Sequence, residues 1–408
     1  VVTPSIVLAV SAAGSFPEHF LFGAATAAHQ IEGGNVNSDW WAFEHEPGTR
    51  VREPSGDACD SWHRFEEDLT LCASIGLNAY RFSVEWARVE PEPGHFSTAA
   101  LDHYRRVVEG CRTRGLVPVV TLHHFTLPRW MAERGGFESE DAPTRLAEYA
   151  ARVGGALGDA IGLACTINEP SVVAMMGYLR GHFPPGVRDR GRFEAVSATL
   201  RAAHHAMVEA LRAGPGSFPV GITLSMSEME AAEGGEARLA QALEHLEDAY
   251  LRDLRGDDFV GVQTYTRTQF GPDGPLAPPE GARRTKMGYE FRPQAVEHTV
   301  RRAAHVTGLP VVVTETGLST DDDAERIEFI DAVVSGLAAC VGDGLDVRGL
   351  FYWTLLDNFE WALGYSQPFG LAACDRWSFA RTPRPSAAHL GAIASTARRA
   401  PRVVDAGR

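Results

Sequence analysis

Val311-Val312-Val313-Thr314-Glu315-Thr316-Gly317 reads as a short, fully buried strand. An apolar, β-branched run delivers one carboxylate, and a glycine then breaks the backbone. A strand with one wet face would alternate apolar and polar residues; a continuous apolar run belongs to a parallel sheet covered by helices. Cys165-Thr166-Ile167-Asn168-Glu169-Pro170 has the same design, with proline as the stop.

Working outward from these two stretches, apolar runs alternate with amphipathic helical patterns. Strands are expected at 20–26, 78–84, 116–122, 162–167, 220–224, 259–263, 311–314 and 347–354. Helices are expected at 61–75, 98–114, 143–157, 192–212, 236–254, 292–306, 325–340 and 385–399. Eight strand–helix units predict the α/β class and a single (β/α)8 TIM barrel, with its active site at the C-terminal face of the strands. A doubly wound sheet is disfavoured, because Gly33-Gly34 has neither the spacing of a phosphate-binding fingerprint nor the helix that follows one. The Pro- and Gly-rich stretches 182–186, 271–281 and 367–370 fall after strands and read as βα loops, not domain linkers. The expected organisation is an N-terminal extension, 1–15, and one barrel domain, 16–408. Residues 6–10 are too short an apolar run to span a membrane, which needs about 18 residues. The extension reads as a tail in preference to a signal-peptide remnant, with a cytoplasmic location expected and secretion left open.

With 408 residues, 44% of them hydrophobic, the chain has ample apolar mass for a core. A net charge of −15 argues against nucleic acid or an anionic membrane as partner. The six cysteines, Cys59, Cys72, Cys111, Cys165, Cys340 and Cys374, show no metal-knuckle or redox spacing and read as isolated thiols. No metal and no cofactor is expected.

At the expected strand ends stand His29-Gln30, Arg81, His123-His124, Asn168-Glu169, Gln263 with Tyr265, Glu315, and Trp353 followed by Glu360-Trp361. If both strands belong to one parallel barrel, both glutamates emerge at one rim. Paired carboxylates are the machinery of glycoside hydrolysis. Indoles suit the apolar face of a sugar ring, and the amides and carboxylates suit its hydroxyls. Arg81 is a fixed cation able to keep a nucleophilic carboxylate ionised. Each residue also has a plainer reading. A lone glutamate near a strand end is usually a cap or an ion-pair member. His123 and His124 must point to opposite faces of a strand, which argues against a two-histidine metal site. His204-His205 read as packing, and Trp40-Trp41 and Trp62 as outer or lower barrel packing. Tyr178 and Phe183 either line the leaving-group side or pin their loop. Asp321-Asp322-Asp323 fit an acidic helix start better than a metal cluster.

The ordered set Phe20-Leu21-Phe22-Gly23-Ala24-Ala25-Thr26, Gln30-Ile31-Glu32-Gly33, Asp60-Ser61-Trp62-His63-Arg64, Tyr80-Arg81-Phe82-Ser83, His124, Leu127-Pro128, Asn168-Glu169-Pro170, Thr314-Glu315-Thr316-Gly317 and the run from Phe351 to Trp361 resembles family 1 of the glycoside hydrolases, the retaining β-glucosidase family. The resemblance implies Glu169 as general acid/base and Glu315 as nucleophile, with Arg81 and Tyr265 flanking the nucleophile and Asn168 on the sugar's 2-hydroxyl. It implies Gln30, His124, Trp353, Glu360, Trp361 and Phe369 as further sugar contacts, and a carboxyl separation of about 5 Å. Because Glu360 would face the 4- and 6-hydroxyls, where it repels phosphate, the expected substrate is a small-molecule β-glycoside of a non-phosphorylated hexose: a glucoside, galactoside or fucoside. Three positions depart from the pattern. Phe125-Thr126 replaces Trp-Asp, Gln263-Thr264 replaces Asn-Tyr, and Thr316 replaces Asn; all three are expected on the rim. The segment between the fifth and sixth strands also looks short for the family. Two other functions compete with exo-hydrolysis: a transglycosidase acting on a natural-product acceptor, and a non-catalytic sugar-binding relative. Retention of both glutamates weighs against the second.

Overall fold

Eight parallel strands close into a barrel: β1 (Leu21–Ala25), β2 (Ala79–Ser83), β3 (Val117–His123), β4 (Leu163–Asn168), β5 (Val220–Ser225), β6 (Phe259–Gln263), β7 (Val311–Thr316) and β8 (Val347–Trp353). Each pairs with its neighbours in sequence, and β1 pairs with both β2 and β8. The computed structural model describes residues 16–254 and 256–399, so the expected extension 1–15 lies outside the described residues. The barrel helices are α1 (Ser61–Ile75), α2 (Thr98–Thr113), α3 (Ala142–Leu157), α4 (Arg190–Arg212), α5 (Glu236–Leu243), α6 (Ala295–Thr307), α7 (Asp323–Gly342) and α8 (Pro385–Arg399).

The strand pattern divides the core in two. A small inner cluster (Ala25, Ala79, Val119, Cys165, Phe259, Val312 and Phe351) draws on seven of the strands, while their alternate residues join a much larger cluster with the helices. Burial on both faces is why these strands read as continuous apolar runs. Helix boundaries follow local chemistry: the Ser97 hydroxyl caps α2 by accepting from Ala100 N, and α1 stops at Gly76 in the left-handed region.

Two departures from expectation matter for the site. The helix expected at 236–254 is interrupted: α5 passes into a π turn, Glu244–Asp248, before a final turn, Ala249–Leu251. The segments Glu228–Ala231, Arg267–Gly271 and Gly274–Pro275 form a small extra sheet beyond β5 and β6. The polar sequence Glu-Met-Glu-Ala of its first strand carries no strand signature, because the pairing is made by tertiary contact. Among the described residues, no helix is long and apolar enough to cross a membrane.

Candidate active site

β4 ends at Asn168, and the next residue, Glu169, has left-handed backbone (φ 45°, ψ 59°). A non-glycine residue there costs roughly 1–2 kcal/mol. Two neighbours hold it: its N–H donates to Thr223 O on β5 at 2.8 Å, and Pro170 begins a short helix, Pro170–Ala174. Glu315 lies inside β7, in register with Gln263 of β6. The glycine that follows is obligatory, because a Cβ on Gly317 would lie 1.9 Å from Trp353 O. Thus the two stops noticed in the sequence turn the backbone where each carboxylate must be presented.

The two carboxyls face one cavity of about 1010 Å³. Glu315 is clamped: Arg81 Nη1 donates to its Oε1 at 2.5 Å and the Tyr265 hydroxyl to its Oε2 at 2.8 Å. Arg81 is fully buried, and its Nη2 donates to Asn168 Oδ1 at 2.6 Å. The same oxygen takes Gln263 Nε2 at 2.8 Å and Thr223 Oγ1 at 3.0 Å, while Asn168 Nδ2 lies 3.2 Å from His124 Nε2. Burial raises the Glu315 carboxyl, but Arg81 and hydrogen bonds from Tyr265 and Gln263 oppose it. Among the described residues no cation is bonded to Glu169; burial first, and the Glu315 charge second, push it up to about 8. Of the pair, Glu169 is the one that holds a proton near neutrality. Burial, reinforced by both carboxylates, drives the Tyr265 phenol well up, so it remains a donor. Burial, followed by the Arg81 charge, keeps His124 neutral.

Around this pair the cavity wall combines polar and aromatic side chains. Gln30 Nε2 donates to Phe359 O at 2.7 Å and reaches Glu360 Oε2 at 3.5 Å, leaving Gln30 Oε1 without a partner among the described residues. His124 Nδ1 is likewise unpartnered. Buried polar atoms normally have partners, and both of these belong to residues that line the cavity. Burial, then the Glu315 charge, raises Glu360 to about 8. The His124 ring stacks between Trp353 (5.9 Å) and Trp361 (6.1 Å), and Phe369 stands edge-on to Tyr265. Gln30, His124, Asn168, Tyr265, Trp353, Glu360, Trp361 and Phe369 all line the cavity with Glu169 and Glu315.

Several expectations change. Trp40 is not outer packing: it lies 4.6 Å from the ring of Trp361, which lines the cavity, and 4.8 Å from Phe183. Its helix, Asp39–Glu44, belongs to the first βα loop and is tied to the third. Asp39 N donates to Leu127 O, and Asp39 Oδ1 accepts from Leu127 N at 2.8 Å. Trp62 does pack outside, stacked 3.7 Å from His103. Phe183 lines the cavity, whereas Tyr178 is buried and pins its loop. His123 points away from His124, against Phe137, and His204 is held in the core by Thr166 and Asp257. Asp322 caps α7. Of the departures expected on the rim, Gln263 instead joins the innermost cluster, because β6 carries it to the level of Glu315. The Thr126 hydroxyl bonds both oxygens of buried Glu85, at 3.0 and 2.9 Å, and Thr316 Oγ1 ties β7 to Thr264 O. Ser225, at the end of β5, was not singled out from sequence; it lines the cavity and hydrogen-bonds Glu169. A lone serine at a strand end carries no distinguishing pattern.

The model of glycosyl hydrolase family 1 matches residues 12–271 and 274–398. The chain is 32% identical to β-glucosidase A of Thermotoga maritima, over 88% of this chain and 93% of the relative. It is also 32% identical to the bifunctional β-D-glucosidase/β-D-fucosidase of Bifidobacterium breve, over 91% and 96%. Among solved structures, it resembles that of the β-glycosidase BGL167 (47% identity, 95% of this chain and 98% of that one, TM-score 0.89). It resembles too the T. maritima β-glucosidase in complex with glucoimidazole (29% identity, 94% and 99%, TM-score 0.87).

Proposed function

The chain belongs to glycosyl hydrolase family 1, and from that premise we propose that Glu315 is the nucleophile and Glu169 the general acid/base of a retaining exo-β-glycosidase. Its relatives in the family include a β-glucosidase, a β-D-glucosidase/β-D-fucosidase and a 1,4-β-D-glucan glucohydrolase, so the enzyme is a hydrolase of β-glycosides.

In the first step a Glu315 carboxylate oxygen attacks the anomeric carbon. The bond to the leaving oxygen breaks, and that oxygen takes the proton from Glu169. In the second step Glu169, now a carboxylate, takes a proton from water as the water oxygen attacks the same carbon and expels Glu315. Two inversions retain the configuration. The observation that carries this division is the asymmetry of contacts: among the described residues, Arg81 and Tyr265 both bond Glu315, and no cation bonds Glu169. A nucleophile needs its charge, and an acid needs its proton.

Asn168 hands the 2-hydroxyl an amide proton, its oxygen being occupied by Arg81, Gln263 and Thr223. Gln30 Oε1 accepts from one hydroxyl; His124, whose Nε2 accepts from Asn168 Nδ2, donates its Nδ1–H to another, and Trp353, Trp361 and Phe369 supply the apolar wall. Glu360 favours a neutral hexose, because a phosphate beside it would bring a further anion into the buried field of Glu315 that already raises the Glu360 carboxyl.

Azide rescue tests the assignment. Glu169→Ala with azide is expected to yield β-glucosyl azide, since the covalent intermediate on Glu315 is opened by a second inversion. Glu315→Ala is expected to yield the α-azide, by one direct displacement. Exchange of the two products would reverse the roles.

A further inference from the structure

The cavity is much larger than a hexose, and the part beyond Glu169 differs in character from the floor. Met175, Met176, Met226, Met229 and Met287 line it, five of the chain's seven methionines. They arrive from the three successive loops after β4, β5 and β6, so their convergence is a property of the fold and not of one segment. Four of the five are only half-buried; Met226 alone is fully buried. Unbranched thioether chains left half-exposed around a void form a deformable apolar surface that suits varied shapes.

The far wall is made by the interrupted helix. Ala242 of α5 and Leu246 of the π turn line the cavity, and no residue of α5 is fully buried. Its apolar side borders the void instead of the core. Many of the polar groups nearby are already engaged, whereas Arg180, Asp273 and Tyr289, also on the lining, are exposed to solvent. Ser227 Oγ bonds Thr266 O and Thr268 Oγ1, each at 3.0 Å; Thr266 Oγ1 donates to Glu290 O at 2.9 Å. Arg238 Nε donates to Pro272 O at 3.1 Å, and His245 Nδ1 lies 2.7 Å from Gln241 O. A second sugar bound there would lose water from several hydroxyls and find few free partners, which is costly. An apolar group loses nothing and gains its burial.

We propose that this chamber is a leaving-group site for bulky apolar alcohols, so that the preferred substrates are β-glycosides of large alkyl or polycyclic aglycones and not oligosaccharides. The inference rests on Glu169 and Glu315 acting as described above, and it adds the chemical class of the leaving group.

The test compares kcat/KM of the full chain for β-glucosyl fluoride, the alkyl series methyl, butyl and octyl β-glucoside, and cellobiose. The fluoride has no aglycone and reports on the sugar site alone. Octanol is a poorer leaving group than glucose, so any advantage of octyl glucoside comes from binding. The expected result is a rise of up to about fourfold per added methylene, the value of burying one CH2 group, with octyl glucoside at least about tenfold better than cellobiose. In Met176→Gln/Met229→Gln the octyl-to-methyl ratio is expected to fall about fivefold or more. A flat alkyl series in the wild type, or cellobiose as the better substrate, would overturn the inference while leaving the catalytic assignment standing. Failure to turn over β-glucosyl fluoride would overturn that assignment, and the inference with it.

Discussion

Arg81 in β2 and Arg88 in the short helix that follows, Trp86–Val89, each pair with a buried glutamate: Arg81 with Glu315 at 2.5 Å, Arg88 with Glu32 at 2.8 Å. Each glutamate also accepts from a tyrosine, Tyr265 or Tyr104, and each has a second carboxyl beside it, Glu169 or Glu85. The difference lies in what surrounds the second carboxyl. Glu85 is sealed by the Thr126 hydroxyl and by Ala87 N, the Trp62 ring lies 4.3 Å from the Arg88 guanidinium, and neither Glu32 nor Glu85 lines the cavity. Glu169 opens onto the cavity. A buried Arg–Glu pair is therefore not what marks catalysis. The mark is a clamped carboxylate beside an unclamped one, with room for a substrate between them.

Mutation should separate the two clusters most sharply at their glutamates. Glu315→Gln is expected to lower kcat for an aryl β-glucoside by at least about 10⁴-fold, the scale of losing a nucleophile. Glu32→Gln should hold kcat/KM within about threefold. Comparable losses in both variants would erase the distinction. Next in size, Arg81→Met is expected to reduce kcat/KM by about 10²-fold or more through the charge state of Glu315, whereas Arg88→Met should leave kcat/KM nearly unchanged and cost about 3 kcal/mol of stability, read from the urea midpoint. That is the scale of breaking a buried ion pair.

Acid titration sharpens the comparison further. Glu169 must be protonated to act and is raised to about 8, so kcat/KM should fall up to tenfold per unit above that pH, while protonation of Glu315 sets a separate acid limb. With 2,4-dinitrophenyl β-glucoside, whose leaving group needs no proton, Glu169→Gln should lose this alkaline limb. Glu32 is raised to about 7, chiefly by burial. Its folded value exceeds its unfolded one, so the folded state binds the extra proton. The resulting stability is complete below about pH 4.5 and is lost as pH rises through about 7. Glu32→Gln should flatten that part of the stability profile and leave the activity profile alone.

Much of this was legible from residue order. The eight strands were found within two residues of their observed ends, because burial on both faces imposes a continuous apolar run that sequence preserves. Glu169, Glu315 and Arg81 could be placed at one rim for the same reason: parallel strands all end at one face. Loops were less readable. Trp40 sits in a helix whose position is set by Asp39 meeting Leu127, 88 residues away, and no local pattern encodes that meeting. The methionine chamber is assembled from three loops, none distinctive alone. In sequence Gln263 reads as a rim change, yet the register of β6 against β7 carries it to the level of Glu315.

The central claim, that Glu315 forms the bond to the sugar, is tested most directly by trapping. A 2-deoxy-2-fluoro-β-glucoside with an activated leaving group slows both steps, and the second enough for the intermediate to persist. Mass spectrometry of the inactivated, proteolysed protein should find one fluoroglucosyl group per chain, on the peptide bearing Glu315. A label on the Glu169 peptide, or turnover of the parent β-glucoside by Glu315→Gln at the wild-type rate, would contradict the account.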